Sequence, residues 1–204
     1  MIDHQFRKLI DPPLDKLAQA LHQSNITANQ VTIAGFMLGM SVIPLLAFHQ
    51  FMITLLVIII NRLADGLDGA IARNRGVTDA GGYLDIVLDF IFYSAVIFGF
   101  CLALPEQAVY GAFLIFSFIG TGSSFLTLSI FAAKRSLTTK RRGMKSIYYL
   151  GGLTEGFETI VCLILMCLVP DWFWLIASIF GILCWVTTLS RIITSVKLLD
   201  STGD

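Results

Sequence analysis

The sequence predicts an all-α integral membrane protein with six transmembrane helices and an amphipathic surface helix at its N-terminal end. Hydrophobic residues make up 56% and charged residues 14% of the 204 positions, and the mean hydropathy is +0.80. A soluble domain of this size needs far fewer apolar residues for one core. Several apolar stretches are also long enough to cross roughly 30 Å of hydrocarbon, which takes about 20 residues in a helix.

The apolar stretches are separated by short polar breaks and leave little chain for anything else. They are centred near Met40, Ile58, Phe92, Leu114, Leu163 and Leu183. Because backbone polar groups inside hydrocarbon must be satisfied within the segment, each stretch is expected to be a helix. We therefore predict one membrane-embedded domain over residues 1–204, with no soluble appendage.

Residues 1–25 are predicted to be a juxtamembrane segment. Their charged, mixed composition is unlike a cleavable signal peptide, so we expect this segment to be retained. Asp11 followed by Pro12 is typical of a helix cap and first turn. The leucines on one face of the following helix are Leu14, Leu17 and Leu21. This pattern fits an amphipathic helix on the membrane surface, and it fits equally well a helix packed on the bundle.

The basic residues are distributed unevenly along a chain of zero net charge. Lysine and arginine occur within residues 7–16, 62–75, 134–145 and 191–197. The alternate connections, residues 49–50, 105–107 and 170–171, contain none. The positive-inside rule therefore predicts that both termini are cytoplasmic in an inner or plasma membrane, which also requires an even number of spans.

Four carboxylates lie where two apolar stretches approach the predicted cytoplasmic side: Asp65, Asp68, Asp85 and Asp89. Such groups are costly in a membrane. Helical spacings of three and four residues place each pair on one face, so two facing helices would bring all four together. Clustered anions repel unless divalent cations bind them, and oxygen-only ligands suit Mg²⁺, Mn²⁺ or Ca²⁺ better than zinc.

Glycines surround these carboxylates at Gly66, Gly69, Gly81 and Gly82. A helix without side chains at those positions lets a bulky ligand approach the backbone closely, as a nucleotide site requires. Small residues are also common where helices pack in lipid, so helix packing is the alternative explanation.

The segment around the carboxylates resembles the signature of the CDP-alcohol phosphatidyltransferases. That signature reads Asp, two residues, Asp-Gly, two residues, Ala-Arg, a gap, Gly, three residues, Asp, three residues, Asp. The matching positions here are Asp65, Asp68, Gly69, Ala72, Arg73, Gly81, Asp85 and Asp89. The gap, residues 74–80, is seven residues long instead of the usual eight. Residues 27–35 also resemble, more weakly, the family's Thr-Pro-Asn-x-x-Thr-x-x-Gly opening, with Ala28 replacing the proline.

The resemblance implies an enzyme in which an alcohol attacks the lipid-side phosphorus of CDP-diacylglycerol or a similar CDP-linked lipid, and CMP leaves. It implies one or two Mg²⁺ or Mn²⁺ ions held by Asp65, Asp68 and Asp85. Asp89 would be a further ligand that also takes the proton from the alcohol. The residues implied to contact the nucleotide and diphosphate are Gly66, Gly69, Ala72, Arg73 and Gly81. Arg73 could equally anchor its helix at the membrane interface.

The acceptor alcohol is less clearly indicated. Lys134, Arg135 and Arg191 would form a basic pocket for a phosphorylated polyol such as glycerol 3-phosphate or inositol phosphate. Glu155 and Glu158 would instead receive the amine of serine, ethanolamine or choline, or they would pair with the basic residues. We favour the phosphorylated polyol.

Two other classes of protein share part of this pattern. A membrane prenyltransferase also binds a diphosphate through aspartates and Mg²⁺, but here all the aspartates fall on adjacent spans. A divalent-cation transporter accounts for the buried acids but not for the neighbouring glycines and Arg73.

Gly35 and Gly39 form a GxxxG step, and the family resemblance implies a homodimer in the membrane lipid. No nucleic-acid partner is expected.

Overall fold

The structure, a computed structural model, describes residues 12–20, 26–135 and 154–201, and within those ranges it contains helices and no strand. The first helix, α1, covers residues 12–20. The others are α2 (Ala28–Gly39), α3 (Val42–Ala47), α4 (Phe51–Arg75), α5 (Asp79–Ala103), α6 (Ala108–Lys134), α7 (Gly156–Leu168) and α8 (Phe173–Ser201). Short 3-10 helices, Pro105–Gln107 and Pro170–Trp172, lead into α6 and α8.

Polar side chains set the helix ends near the carboxylates. The Thr27 hydroxyl accepts a hydrogen bond from the Gln30 amide at 3.3 Å, and the Gln30 side chain accepts one from the Thr27 amide at 2.9 Å. This reciprocal capping box begins α2. Thr78 caps α5 by accepting from the Gly81 amide at 3.1 Å, and Gly76, with φ of 109°, ends α4. The α4–α5 connection is therefore short and fixed at both ends.

The all-helical membrane architecture is confirmed. The helical stretches that are long and apolar enough to cross a membrane are Ala28–Ala47, Asp79–Ala103, Pro105–Lys134 and Pro170–Asp200. Helix α4 has 25 residues, but it carries Arg62 at its middle and Asp65 and Asp68 in its second half. Helix α7 has 13 residues and is about 20 Å long. The count of six spans therefore stays a prediction.

An aromatic core joins the helices at the end away from the carboxylates. Phe100 and Phe173 are fully buried and stack with their ring centroids 4.9 Å apart. Phe51 also stacks with Phe100, at 5.9 Å between ring centroids, so α4, α5 and α8 meet there. Large apolar side chains such as Ile119 and Ile130 are instead about two-thirds exposed, as expected for helix faces that meet lipid.

The two glycines of the GxxxG step pack inside the chain. A Cβ atom on Gly35 would lie 2.8 Å from the Cβ of Ala64, and one on Gly39 would lie 2.8 Å from Asn61 Nδ2. The Asn61 amide also donates to the Gly35 carbonyl at 2.9 Å. This face of α2 is therefore occupied by α4 and is not available to a second chain. A homodimer stays a prediction, and it would need another surface.

Helix α1 packs on α4. Leu14 is buried together with Ala18, Ala70 and Ile71, whereas Leu17 is 48% exposed and Leu21 lies outside the described residues. The contacts support the helix packed on the bundle, and the amphipathic surface helix is not confirmed.

Replacement of Gly35 by alanine is expected to destabilise the protein without changing its oligomeric state. The new methyl group would meet Ala64 Cβ at 2.8 Å, and neither atom can move unless the helices separate. Overpacking of this kind costs about 1–3 kcal/mol. Thermal unfolding in detergent measures the effect, with Gly82→Ala as the control because nothing lies within 4 Å of a Cβ there. An unchanged midpoint combined with loss of a dimer would contradict this packing.

Candidate active site

Three of the four predicted carboxylates converge. Only residues 76–78 connect α4 to α5, and Asp65 and Asp68 in the second half of α4 lie close to Asp85 in the first part of α5. One carboxylate oxygen from each of these three residues lies within 4.8 Å of the other two. We call Asp65, Asp68 and Asp85 the carboxylate trio. Oxygen atoms this close can share a divalent cation, the ligand type that Mg²⁺ and Mn²⁺ prefer.

A threonine from α2 holds one member of the trio. The Thr32 hydroxyl donates a hydrogen bond to Asp68 Oδ2 at 2.5 Å, and Asp68 is only 5% exposed. Thr32 is the second threonine of the stretch that weakly resembled the family's opening. Besides its capping box at the start of α2, this stretch carries a side chain that orients a carboxylate.

The fourth carboxylate, Asp89, lines one small cavity of about 20 Å³ together with the trio, and it has hydrogen-bond partners of its own. Its Oδ1 accepts a hydrogen bond from Arg62 at 2.7 Å, and its Oδ2 accepts one from the Tyr93 hydroxyl at 3.1 Å. In the sequence, Arg62 bears only on the predicted topology, and Tyr93 is not among the predicted site residues. The available signal was an arginine inside an apolar stretch, three residues before Asp65, where a charge requires a partner.

A cavity of about 500 Å³ opens beside the trio, within the range of small-molecule sites. Asp68 and Asp85 line it, as do four of the predicted nucleotide-contacting residues: Gly69, Ala72, Arg73 and Gly81. Gly66, the fifth, is placed differently. A Cβ atom there would lie 2.6 Å from Leu14 Cδ1, so Gly66 accommodates α1 and does not line the cavity.

Arg73 stands at the wall of this cavity and pairs with α1. One of its terminal nitrogens lies 3.1 Å from Asp15 Oδ1. Both side chains are about two-fifths exposed, so this ion pair contributes little to stability. The guanidinium is therefore placed where it can reach a phosphate in the cavity while Asp15 holds it.

A second cavity, of about 180 Å³, lies between α5, α6, α7 and α8. Arg191, Glu155 and Tyr93 are among its lining residues. Arg191 donates to the Thr121 carbonyl at 3.3 Å, and its guanidinium carbon lies 5.6 Å from the centre of the Phe125 ring. Tyr93 thus connects the wall of this cavity to Asp89.

The other predicted acceptor residues do not line this cavity. Arg135 donates to the Leu199 carbonyl, two helical turns beyond Arg191 on α8, and Lys134 ends α6. Glu158 caps α7, since its side chain accepts from the Glu155 amide at 3.1 Å. Of the predicted basic pocket, only Arg191 lies at a cavity near the carboxylates in the part of the chain that is described.

Residues 25–193 match the family model for the CDP-alcohol phosphatidyltransferase. The match includes the carboxylates, both cavities and Thr32. The chain belongs to the CDP-alcohol phosphatidyltransferase family, and the resemblance and enzyme class predicted from the signature are confirmed. The prenyltransferase and transporter alternatives are therefore set aside.

The chain is 50% identical to the inner membrane protein YnjF of Escherichia coli over 94% of both chains. It is 33% identical to the archaetidylinositol phosphate synthase of Pyrococcus horikoshii over 48% of this chain and 53% of that one.

The fold is also similar to that of a solved enzyme, the phosphatidylinositol phosphate synthase PgsA1 of Mycobacterium tuberculosis. Its structure with manganese and citrate gives a TM-score of 0.71 at 21% identity, over 89% of this chain and 88% of that one. Its structure with CDP-DAG bound gives a TM-score of 0.66 at 22% identity, over 89% of this chain and 92% of that one. These likenesses show a shared helical architecture.

Replacement of Thr32 by valine is expected to weaken Mn²⁺ binding. Valine has the same shape but cannot donate to Asp68, and loss of a residue that orients a metal ligand typically costs 10- to 100-fold in affinity. Titration of the detergent-solubilised protein, followed by the EPR signal of free Mn²⁺, measures the change. Thr54→Val is the matched control, because the Thr54 hydroxyl donates to the Gln50 carbonyl at the other end of α4. Equal affinity in the two variants would separate Thr32 from the metal site.

Proposed function

We propose that this protein transfers a phosphatidyl (substituted phosphate) group from CDP-diacylglycerol, or a similar CDP-linked lipid, to a phosphorylated polyol and releases CMP. One observation carries the proposal: Asp68 and Asp85 line a cavity of about 500 Å³, and Tyr93, which donates to Asp89, lines a smaller cavity that contains a buried arginine. The larger cavity suits a cytidine diphosphate, and the smaller suits a compact acceptor with a phosphate group.

The trio fits a divalent cation. Its donors are all carboxylate oxygens, they lie within 4.8 Å of one another, and Mg²⁺ and Mn²⁺ favour such ligands. When bound, one or two such ions supply charge neutralisation for the diphosphate and for the CMP that leaves. Thr32 keeps Asp68 in place for this purpose.

Asp89 is proposed as the proton acceptor of the reaction. The hydroxyl oxygen of the acceptor forms a bond to the lipid-side phosphorus, and its proton passes to the Asp89 carboxylate. The bond between that phosphorus and the oxygen of CMP breaks, and CMP takes the electron pair. General base catalysis of this kind requires hydrogen-bond reach between the carboxylate and the alcohol.

The nucleotide is proposed to lie against the glycine-lined wall of the larger cavity. Gly69, Ala72 and Gly81 leave the α4 and α5 backbones open to close approach, and Arg73 can donate two hydrogen bonds to a phosphate. The lipid chains would extend from this point into the bilayer along the apolar helix faces.

Arg191 supports the choice of a phosphorylated acceptor. Arg191 is 9% exposed. A phosphate stabilises a buried guanidinium, because the two groups can form two parallel hydrogen bonds. Two of the similar proteins are named as synthases of inositol phosphate lipids. These observations support glycerol 3-phosphate or inositol phosphate as the acceptor.

Glu155 favours a second candidate, the same chemistry on an amino alcohol. It lines the same cavity as Arg191, and a carboxylate there would suit the ammonium group of serine, ethanolamine or choline. Glu155 is already engaged as the N-cap residue of α7. We therefore place this candidate second.

We also propose that the active site and both termini face the cytoplasm. The carboxylate end of α4 carries Arg73 and Arg75 in its last turn, and Lys134 lies in the last turn of α6. Cytoplasmic segments of membrane proteins are enriched in these residues.

Purified protein in detergent, given CDP-diacylglycerol and Mn²⁺, is expected to release CMP only when the right acceptor is added. The panel is glycerol 3-phosphate, inositol phosphate, inositol, serine, ethanolamine and choline. Asp89→Asn, which keeps the shape but cannot take the proton, should lower the rate by about 10²- to 10⁴-fold. CMP release that is unaffected by this substitution would exclude Asp89 as the base.

Replacement of Arg191 by glutamine is expected to raise the KM for the phosphorylated acceptor by at least about tenfold, which corresponds to roughly 1.4 kcal/mol of lost binding. The KM for CDP-diacylglycerol should not change, because Arg191 lines the other cavity. Steady-state rates at varied acceptor and donor concentrations separate the two constants. Glu155→Gln is the comparison, and a serine or choline KM that depends on Glu155 and not on Arg191 would favour the amino alcohol.

A further inference from the structure

We propose that the N-terminal helix α1 is part of the donor site, and that Asp15 is a positioning residue that fixes the direction of the Arg73 guanidinium. This inference rests on the proposed function, which gives Arg73 a diphosphate to bind. The described residues that line the larger cavity include Arg73 and do not include Asp15. Asp15 therefore acts through Arg73 and not on the substrate.

The Arg73 guanidinium lies between α1 and the larger cavity. Its Nη2 donates a hydrogen bond to Asp15 Oδ1 at 3.1 Å, and its Nη1 would lie 3.5 Å from a Cβ atom on Gly69. Gly69 lines the cavity. One side of the guanidinium is thus bound to α1, while the other lies beside a backbone without a side chain. A guanidinium that is already fixed in direction loses little freedom when it binds a phosphate.

Leu14 determines where α1 lies on α4. A Cβ atom on Gly66 would lie 2.6 Å from Leu14 Cδ1, so the missing side chain leaves a notch that receives Leu14. Leu14 is 8% and Ala18 is 3% exposed. These two residues are one helical turn apart, so they define the face of α1 that packs on α4. We call this contact the Gly66 notch.

The Gly66 notch places Asp15 at the guanidinium. Side chains on a helix lean toward its N-terminal end, and Arg73 accordingly reaches back along α4 as far as Gly69. Gly69 is only three residues beyond Gly66, so it lies about one turn away on a neighbouring part of the helix surface. Asp15 follows Leu14 directly and meets Arg73 there. A shift of α1 out of the notch would therefore separate Asp15 from Arg73.

The ion pair between Asp15 and Arg73 is too exposed to be an important source of stability. The two side chains are 43% and 40% exposed, and solvent-exposed pairs of this kind contribute little to folding. The effect of Asp15 should therefore be measured in ligand binding and not in the unfolding midpoint.

Nucleotide binding tests the role of Asp15 without catalysis. Isothermal titration of the detergent-solubilised chain with CDP, in the presence of Mn²⁺, measures the Kd. We expect Asp15→Ala to raise this Kd by about two- to tenfold, which is the effect of having to order one more flexible side chain on binding. Asp15→Glu keeps the carboxylate and should bind CDP more tightly than Asp15→Ala. Lys16→Ala is the matched control, because Lys16 is an exposed charge on the same helix, and it should leave the Kd unchanged.

A double substitution tests whether Asp15 acts through Arg73. In an Arg73→Gln background, Asp15→Ala should change the Kd for CDP by less than about twofold, because two residues that act as one unit are not additive. Steady-state CMP release gives a second measure. Asp15→Ala should raise the KM for CDP-diacylglycerol and leave the KM for the acceptor unchanged, and its unfolding midpoint should equal that of Lys16→Ala.

The Gly66 notch is tested by a collision and its relief. Gly66→Ala should raise the Kd for CDP as Asp15→Ala does, because the new methyl group would meet Leu14 Cδ1 and displace α1. Adding Leu14→Ala removes the colliding atom, so the double variant should bind CDP more tightly than Gly66→Ala alone. A Gly66→Ala defect that Leu14→Ala does not relieve would mean that Gly66 faces the ligand directly, and it would overturn the part assigned to α1.

Three further results would overturn the inference. One is an unchanged or lower Kd for CDP in Asp15→Ala, since Asp15 would then be neutral or would compete with the phosphate for Arg73. The second is an Asp15→Ala effect that persists in the Arg73→Gln background. The third is an unsubstituted chain that does not bind CDP. Absence of CMP release with every acceptor would instead remove the proposed function, and the CDP titrations would still decide whether Asp15 positions Arg73.

Discussion

Mutual repulsion among four carboxylates at one end of an apolar helix bundle is the constraint on which the site depends. Each anion must be compensated locally, because the surrounding helices offer no water-like environment. Asp68 accepts a hydrogen bond from the Thr32 hydroxyl at 2.5 Å, and Arg62 pairs with Asp89 at 2.7 Å and with Asp65 at 3.7 Å. One arginine cannot offset four carboxylates, and the geometry of the trio suits a divalent cation. The four carboxylates thus have different hydrogen-bond partners.

Close helix packing makes this compensation possible. Gly35 and Gly39 leave no side chain between α2 and α4, so α2 comes near enough for Thr32 to reach Asp68 and for the Gly35 carbonyl to accept from Asn61. Asn61 in turn accepts from Arg62 at 3.0 Å. A glycine face that in sequence suggested association of two chains therefore supports the site from within one chain.

The two ends of the helix bundle differ in composition. The stacked rings of Phe51, Phe100 and Phe173 form a rigid apolar core at one end. The polar end is set by the caps Thr27 and Thr78 and by the turn at Gly76. Such a division allows the cavities to contain polar groups while packing elsewhere supplies stability, since burial of large aromatic side chains dominates core energetics.

The sequence by itself determined the helical membrane architecture and the family. Runs of apolar residues are a local property, and spacings of three and four residues place aspartates on one face wherever the helix packs. The convergence of Asp65, Asp68 and Asp85, and the lining positions of Gly69, Ala72, Arg73 and Gly81, agree with that prediction. The number of spans does not follow as directly, because α4 combines apolar length with the charges of the site.

Only the tertiary structure decided which partner each residue meets. Helical periodicity says which face a side chain occupies but not what lies opposite, so the pairing of Arg62 with Asp89, 27 residues away, was invisible in the spacing. For the same reason Gly66 was expected beside a nucleotide and instead accommodates Leu14, and Lys134 and Arg135 were expected with Arg191 but do not line its cavity. These contacts depend on how far each helix slides past its neighbour. That register is set by packing at Gly35, Gly39 and the aromatic core, through the shapes of residues distant in sequence.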